Sequence, residues 1–232
     1  LTRRDAPSAD ELIGQIQLAN NALAAVSPGS ALKLPAFDAA PAVRQERLST
    51  MHGVTLVPGL TITDDERTDD SDGLPLLTVA VINEYAASGH LRPEEFVIVD
   101  TNDRPDATVR PGDIVLGASS RVPVLRAPEP GWLVPAPGWI VRVDNEIVDP
   151  DYLLACLNAR VRAAATGRLA ARVSPSSIDV PLIPLDQQRI FGDLVRTLST
   201  RTHSIQEELG RLRALTALLE ESAGAGALTV RP

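Results

Sequence analysis

The stretch that decides the fold is residues 186–222, DQQRIFGDLVRTLSTRTHSIQEELGRLRALTALLEES. It contains no proline, and glycine occurs in it only at positions 192 and 210. A large apolar residue recurs at every seventh position, which is the spacing that places side chains along one seam of a helix. The five residues of this repeat are Phe191, Leu198, Ile205, Leu212 and Leu219. At 1.5 Å per residue, the predicted helix is about 55 Å long.

The seven-residue repeat predicts a coiled-coil helix whose five apolar residues form the interface with a partner helix. Val195 and Leu209 support the repeat on the adjacent stripe, but Thr202 and Thr216 interrupt that stripe. Packing in a bundle therefore remains open beside a two-stranded coil.

The residues before this helix alternate between short apolar segments and turns. A hairpin is predicted over 54–63 around Pro58-Gly59, and further strands over 74–82, 96–99, 122–126 and 138–143. A tight turn at Arg110-Pro111-Gly112-Asp113 leads into a buried strand that ends near 117. Asp149 followed by Pro150 predicts the start of a helix over 150–165. The fold class is therefore α/β (α+β) with mixed or antiparallel strands, followed by the long C-terminal helix.

The N-terminal residues have a different character. Ser8 and Glu11 have the spacing of a capping box, and apolar residues at helical spacing predict a helix over 9–26. A segment rich in proline and alanine follows. The predicted organisation is an N-terminal helix and linker at 1–45, a folded domain at 46–185, the helical spacer at 186–222 and a flexible tail at 223–232. Because residue 1 is Leu, the chain is either a piece of a longer polypeptide or the product of an unusual start codon, and the first is the favoured interpretation.

Charge is distributed unevenly along the 232 residues. Residues 1–103 carry 7 basic and 16 acidic side chains, whereas residues 104–213 carry 14 and 12. The overall charge of −8 therefore hides a second half that is compatible with an anionic partner. With a single cysteine, no long apolar run and no signal-like N-terminus, a cytoplasmic location and no membrane association are expected.

Several catalytic and metal-binding patterns are missing from the sequence. It has no Pro-Pro pair of the kind that adenine and cytosine methyltransferases use beside a flipped base. It has no Walker lysine motif and no glycine-rich dinucleotide loop, and its three histidines are scattered. We therefore predict no catalytic residue, no metal and no cofactor in this chain.

Four motifs in order resemble the specificity subunit of type I restriction-modification enzymes, in the half that holds one target recognition domain. The matched residues are Leu74-Pro75-Leu76-Leu77-Thr78-Val79, Val109-Arg110-Pro111-Gly112-Asp113-Ile114-Val115-Leu116, Asp149-Pro150-Asp151-Tyr152-Leu153 and Pro184-Leu185-Asp186-Gln187-Gln188-Arg189-Ile190. The resemblance covers about residues 48–222. Ile183 and Gln187 stand where the family usually has a second proline and a glutamate. The motif residues are interpreted as builders of the fold, with Gln188 either capping or bracing the long helix.

The resemblance implies sequence-specific binding of double-stranded DNA by loops on this scaffold. Arginine can bind guanine or phosphate, and serine can donate to either. The predicted DNA-binding residues are Ser119, Ser120, Arg121, Arg126, Arg160, Arg162, Arg168 and Arg172.

The resemblance also implies partners. These are a DNA methyltransferase that holds S-adenosylmethionine, a second recognition domain bound through the long helix, and a restriction subunit. The N-terminal helix and linker favour a fused N6-adenine methyltransferase as the parent protein. An alternative from another class is a protein-interaction scaffold that uses the coiled coil alone and binds no DNA, which the acidic first half favours.

Overall fold

The computed structural model describes residues 8–26, 32–38, 43–68, 73–88, 97–99, 107–127, 130–165 and 172–224. The chain forms two compact units, Leu1–Arg44 and Gln45–Pro232. In the first unit, helix α1 spans Ala9–Val26. Ser8 and Glu11 form the predicted capping box, because each backbone N–H donates to the other residue's side chain.

In its described residues, the second unit combines short strands with three α-helices. The strands are β1 (Gln45–Arg47), β2 (Val54–Pro58), β3 (Arg67–Thr68), β4 (Leu74–Leu76), β5 (Val97–Val99), β6 (Ile114–Leu116), β7 (Leu125–Arg126), β8 (Trp139–Val143) and β9 (Asp179–Pro181). The helices are α2 (Val79–Ser88), α3 (Pro150–Ala164) and α4 (Leu185–Gly224). The described strands pair antiparallel in three sheets, ordered β1-β9, β2-β8-β6-β7 and β3-β5-β4. These elements confirm the predicted α+β class and the long C-terminal helix.

The four-stranded sheet is the centre of the unit because both of its faces are apolar. Ile114 and Leu116 belong to the same buried cluster as Leu153 and Leu157 of α3. Val115, between them, belongs to a second cluster with residues of α2. Successive strand residues point to opposite faces, so this alternation places α3 and α2 on the two sides of the sheet.

The predicted hairpin at 54–63 is wrong. Strand β2 pairs with β8, which lies more than eighty residues later in the chain, and Gly59 donates its N–H to Gly138 O at 2.8 Å. A Cβ at Gly59 would lie 2.6 Å from Pro135 O, so the glycine permits a close approach to that segment. The Pro-Gly pair therefore ends a strand and does not reverse the chain locally.

The predicted strand at 74–82 is only partly correct. The strand ends at Leu76, and α2 begins at Val79. Thr78 starts the helix, since its side-chain oxygen accepts a hydrogen bond from Val81 N at 3.3 Å and its carbonyl accepts one from Ile82 N. A threonine cap thus overrides the strand preference of the valines and isoleucine that follow it.

Polar contacts hold the N-terminal end of α3 against the start of α4. Asp149 caps α3 by accepting from Tyr152 N at 2.8 Å. Gln188 accepts from Asp149 N at 3.0 Å and donates to Ile183 O at 2.8 Å, which confirms its predicted bracing role. A Cβ at Gly192 would overlap Asp149 Oδ1, so only glycine allows the two helices to approach this closely here.

A buried carboxylate adds ion pairs to this contact between α3 and α4. The side chain of Asp151 in α3 is only 6% exposed. It accepts from Arg126 Nη1 of β7 at 3.1 Å and from Arg196 Nη1 of α4 at 3.2 Å. Arg196 also pairs with Asp193 on its own helix. One carboxylate therefore joins a strand and two helices.

Burial also changes the chemistry of two side chains in α3. Tyr152 donates its hydroxyl to Pro181 O at 2.9 Å, and burial raises its pKa. Burial likewise raises the pKa of the Cys156 thiol, against the smaller opposing effects of Tyr152 and Arg160. Both groups are therefore uncharged at neutral pH and serve the packing of the helix.

The C-terminal part of α4 leaves the domain surface. The described side chains from Glu208 to Glu221 are all exposed, over about 20 Å of helix at 1.5 Å per residue. Five leucines are among them: Leu209, Leu212, Leu215, Leu218 and Leu219. Within the described residues, no helix combines the length and apolar character that crossing a bilayer requires.

Candidate DNA-binding site

The loop between β6 and β7 is a tight turn at one end of the four-stranded sheet. A Cβ at Gly117 would lie 2.6 Å from Val122 Cβ, so the turn can close only over glycine. Val122 N donates to Ser119 O at 3.0 Å, and Arg121 N donates to Ser119 Oγ at 3.3 Å. These bonds fix the backbone of three predicted residues, Ser119, Ser120 and Arg121.

Another predicted residue, Arg172, lies beside the same turn, although it is about fifty positions later in the sequence. Val173 N donates to Ala118 O at 2.8 Å, and Ser119 and Arg172 form an antiparallel bridge. The structure therefore brings Arg172 beside Ser119, although the two lie far apart in sequence. We call Ser119, Ser120, Arg121 and Arg172 the distal cluster.

The four side chains of the distal cluster differ in accessibility. Arg121 and Arg172 are exposed, and Ser119 is half-buried. Ser120 is 6% exposed and is partnered within the protein. The cluster thus offers two exposed guanidinium groups and one accessible hydroxyl on a rigid turn.

The other predicted arginines lie elsewhere. Arg126 is tied to Asp151 at the opposite end of the sheet. Arg160 donates to Asp179 O at 3.0 Å and to Gln45 Oε1 at 3.2 Å, so it links α3 to the two-stranded sheet. Arg162 is exposed near the end of α3, and Arg168 lies outside the described residues.

Two cavities flank Arg172. One, of about 320 Å³, has mostly apolar walls that include Leu77, Val115 and Val122. The other, of about 290 Å³, includes Trp139 and Ser174. Both contain the segment Ala136-Pro137-Gly138, so Arg172 stands beside a continuous recessed surface.

The distal cluster can bind an anion or the edge of a guanine. Each guanidinium has five N–H donors in a planar fork, and the serine hydroxyl can donate or accept. In the described part of the chain, no group of three or more His, Cys, Asp or Glu side chains is arranged to hold a metal ion. The chemistry available here is recognition through hydrogen bonds and charge.

Sequence reasoning identified Arg126 but missed that it shares a cavity with Arg110 and Arg142 at the opposite end of the sheet. Arg110, Arg126 and Arg142 line a polar cavity of about 320 Å³. Arg110 belongs to a turn and Arg142 to a strand, so their sequence contexts gave no reason to group them. The antiparallel pairing of β6 with β7 and β8 is what places them together.

Comparison with known proteins yields structural matches alone: no family model matches the chain, and neither does any curated protein. One similar structure comes from work on complex assembly and conformational transition of the type I restriction-modification system, with TM-score 0.54 and 18% identity. It covers 92% of this chain and 51% of that one.

Two further matches are individual subunits. The HsdS subunit from Thermoanaerobacter tengcongensis has TM-score 0.52 and 19% identity over 94% of this chain and 53% of that one. The type I restriction-modification S subunit from M. genitalium has TM-score 0.51 and 13% identity over 90% and 55%. The chain therefore has the fold of type I HsdS specificity subunits, as its motifs predicted, and spans about half the length of those it matches.

Proposed function

We propose that this chain reads a DNA sequence for a type I restriction-modification or related methylation system and directs a partner or fused methyltransferase to that site. The observation that carries the proposal is the HsdS-like fold over at least nine-tenths of the chain. Because one fold can host several functions, the proposal also needs a site that suits DNA.

The distal cluster supplies such a site. Its turn is held by backbone hydrogen bonds, while Arg121 and Arg172 extend into solvent. Loops on a rigid scaffold are where binding residues concentrate, and arginine and serine are common DNA-contacting residues. The recessed surface beside Arg172 gives room for a groove edge or backbone.

In this proposal the chain selects the DNA sequence and does not catalyse methyl transfer. Methyl transfer, with S-adenosylmethionine, belongs to the methyltransferase partner or fused domain. The exposed stripe on α4 is the surface for that partner or for a second recognition domain. A restriction subunit would join through the assembly.

The exposed leucines of α4 favour a second candidate function, a protein-interaction scaffold without DNA binding. The two functions respond differently to salt. Phosphate contacts release counterions, so DNA affinity falls steeply as salt rises, whereas apolar helix pairing does not.

Replacing Arg172 with alanine is expected to weaken binding to random-sequence duplexes about five-fold or more and to lower the salt slope by about one, as loss of one phosphate contact would. Fluorescence anisotropy at several salt concentrations measures both quantities. Arg213→Ala, which removes the same charge from the exposed end of α4, is the control. Salt-independent binding, or equal affinities for both variants, would contradict a role for the distal cluster.

A further inference from the structure

A polar cavity lies at the end of the four-stranded sheet opposite the distal cluster. It occupies about 320 Å³ where β6 begins and β7 and β8 end. Arg110 comes from the turn before β6, Arg126 from β7 and Arg142 from β8. Pro150, in the first turn of α3, completes one wall. We call this site the proximal cavity.

Buried carboxylates hold two of the three arginine side chains of the proximal cavity in place. Arg142 donates from Nε to Asp113 Oδ2 at 3.3 Å and from Nη2 to Thr108 O at 2.6 Å. Asp113 is buried and also accepts from Arg110 N at 2.8 Å. Arg126 is fixed by Asp151. Side chains that are already ordered lose less entropy when a ligand binds.

The cavity lining carries an excess of positive charge. It contains three guanidinium groups and one carboxylate, that of Asp113. Asp151, which pairs with Arg126 from behind, also pairs with Arg196, and Arg196 pairs in turn with Asp193. The N-terminal turn of α3 borders the cavity, with Asp149 as its N-cap and Asp151 in its first turn. An anion entering the cavity therefore meets guanidinium groups from three different segments of the chain.

The donor geometry favours a phosphate. The hydrogen bonds from Arg126 to Asp151 are made by Nη1. The Nε and Nη2 donors of the same guanidinium are therefore directed elsewhere. Guanidinium forks match the spacing of phosphate oxygens. A cavity walled by three of them from different elements suits a tetrahedral anion with several acceptor oxygens.

We propose that the proximal cavity is a phosphate-binding site that holds a backbone phosphate of DNA. That the phosphate belongs to DNA rests on the proposed function, whereas that the cavity binds phosphate does not. The chain from Asp113 to Ser119 spans about 20 Å when extended, so one duplex can contact both ends of the sheet. A phosphate held here would fix the register of the protein on DNA, while the distal cluster would contact bases and phosphate at the other end of the sheet.

The test compares Arg110→Gln with Arg213→Gln in the whole chain. Arg110 is exposed, so its replacement spares the buried pairs, and Arg213 is an equally charged residue on the distant end of α4. In the first arm, pyrophosphate is titrated against protein without DNA and followed by the shift in Tm. Saturable stabilisation of the wild type and Arg213→Gln, reduced at least five-fold in apparent affinity for Arg110→Gln, is expected.

In the second arm, duplex affinity is measured against salt concentration. Arg110→Gln is expected to lower the slope of log K against log salt by about 0.9 relative to Arg213→Gln, the value for one phosphate contact. Pyrophosphate binding that is absent, or unaffected by Arg110→Gln, overturns the phosphate site. If pyrophosphate binding depends on Arg110 but the slope of log K against log salt for duplex binding is unchanged, the bound phosphate does not come from DNA. If no variant or wild type binds DNA, the proposed function fails, and the first arm alone decides the site.

Discussion

Replacing both Arg126 and Arg196 with alanine is expected to lower the free energy of unfolding by about 1–3 kcal/mol, the usual cost of leaving a buried polar group without its partners, because both arginines are themselves partly exposed to solvent. The Asp151 side chain is 6% exposed, and the two arginines are the partners that reach it from β7 and α4. Without them the carboxylate loses both of its counterions, and the water that enters beside it offsets part of the loss. Urea denaturation followed by circular dichroism measures the change.

Two further variants test whether the loss of stability comes from the unpaired charge of Asp151. Adding Asp151→Asn to the double variant removes the stranded charge and is expected to restore a large part of the loss. Replacing Arg162 and Arg213, two exposed arginines on helices, should change stability by less than about 1 kcal/mol. A loss below 1 kcal/mol in the Arg126/Arg196 variant would show that Asp151 does not depend on them.

Replacing Leu212, Leu215 and Leu219 with serine is expected to abolish association through α4 without unfolding the domain. All three side chains are more than half exposed in the isolated chain, so the fold does not depend on them. Burying a fully exposed leucine contributes about 1.5–3 kcal/mol, so the six half-exposed leucines of two paired chains account for a weakening of roughly a thousand-fold or more. Sedimentation velocity over a range of concentrations measures self-association of the wild type and the variant.

The control for the leucine variant is the replacement of Arg211 and Glu221 with serine. These residues lie on the same exposed stretch but off the apolar stripe. We expect the control to associate like the wild type. A wild type that stays monomeric at every concentration, or a leucine variant that associates as well as the wild type, would contradict pairing of α4 with a second copy.

Local signals predicted the helices well. The capping box at Ser8, the Asp149 cap and the proline-free heptad run each act within a few residues, so the sequence alone places α1, α3 and α4. Pairing between distant segments left no such signal. Pro58-Gly59 has the composition of a hairpin turn, yet its partner is the segment around Pro135 and Gly138.

The candidate site was predictable in composition but not in arrangement. Arginine and serine were identified in two segments, and one hydrogen bond from Val173 N to Ala118 O is what joins them. Sequence could not separate an arginine tied to a buried carboxylate, such as Arg126, from an exposed one such as Arg172. That distinction depends on Asp151, which is twenty-five residues away from Arg126 and on another element.

The most direct test of the central claim is selection of duplexes from a random library by the purified chain at ~0.15 M salt, followed by sequencing. Proteins that read bases enrich particular sequences, whereas backbone contacts alone do not. We predict enrichment of one short motif by the wild type, lost when Arg121 and Arg172 are replaced with alanine and retained in Arg213→Ala. Bound DNA with no enriched motif, or no bound DNA, would contradict the proposal that this chain reads sequence.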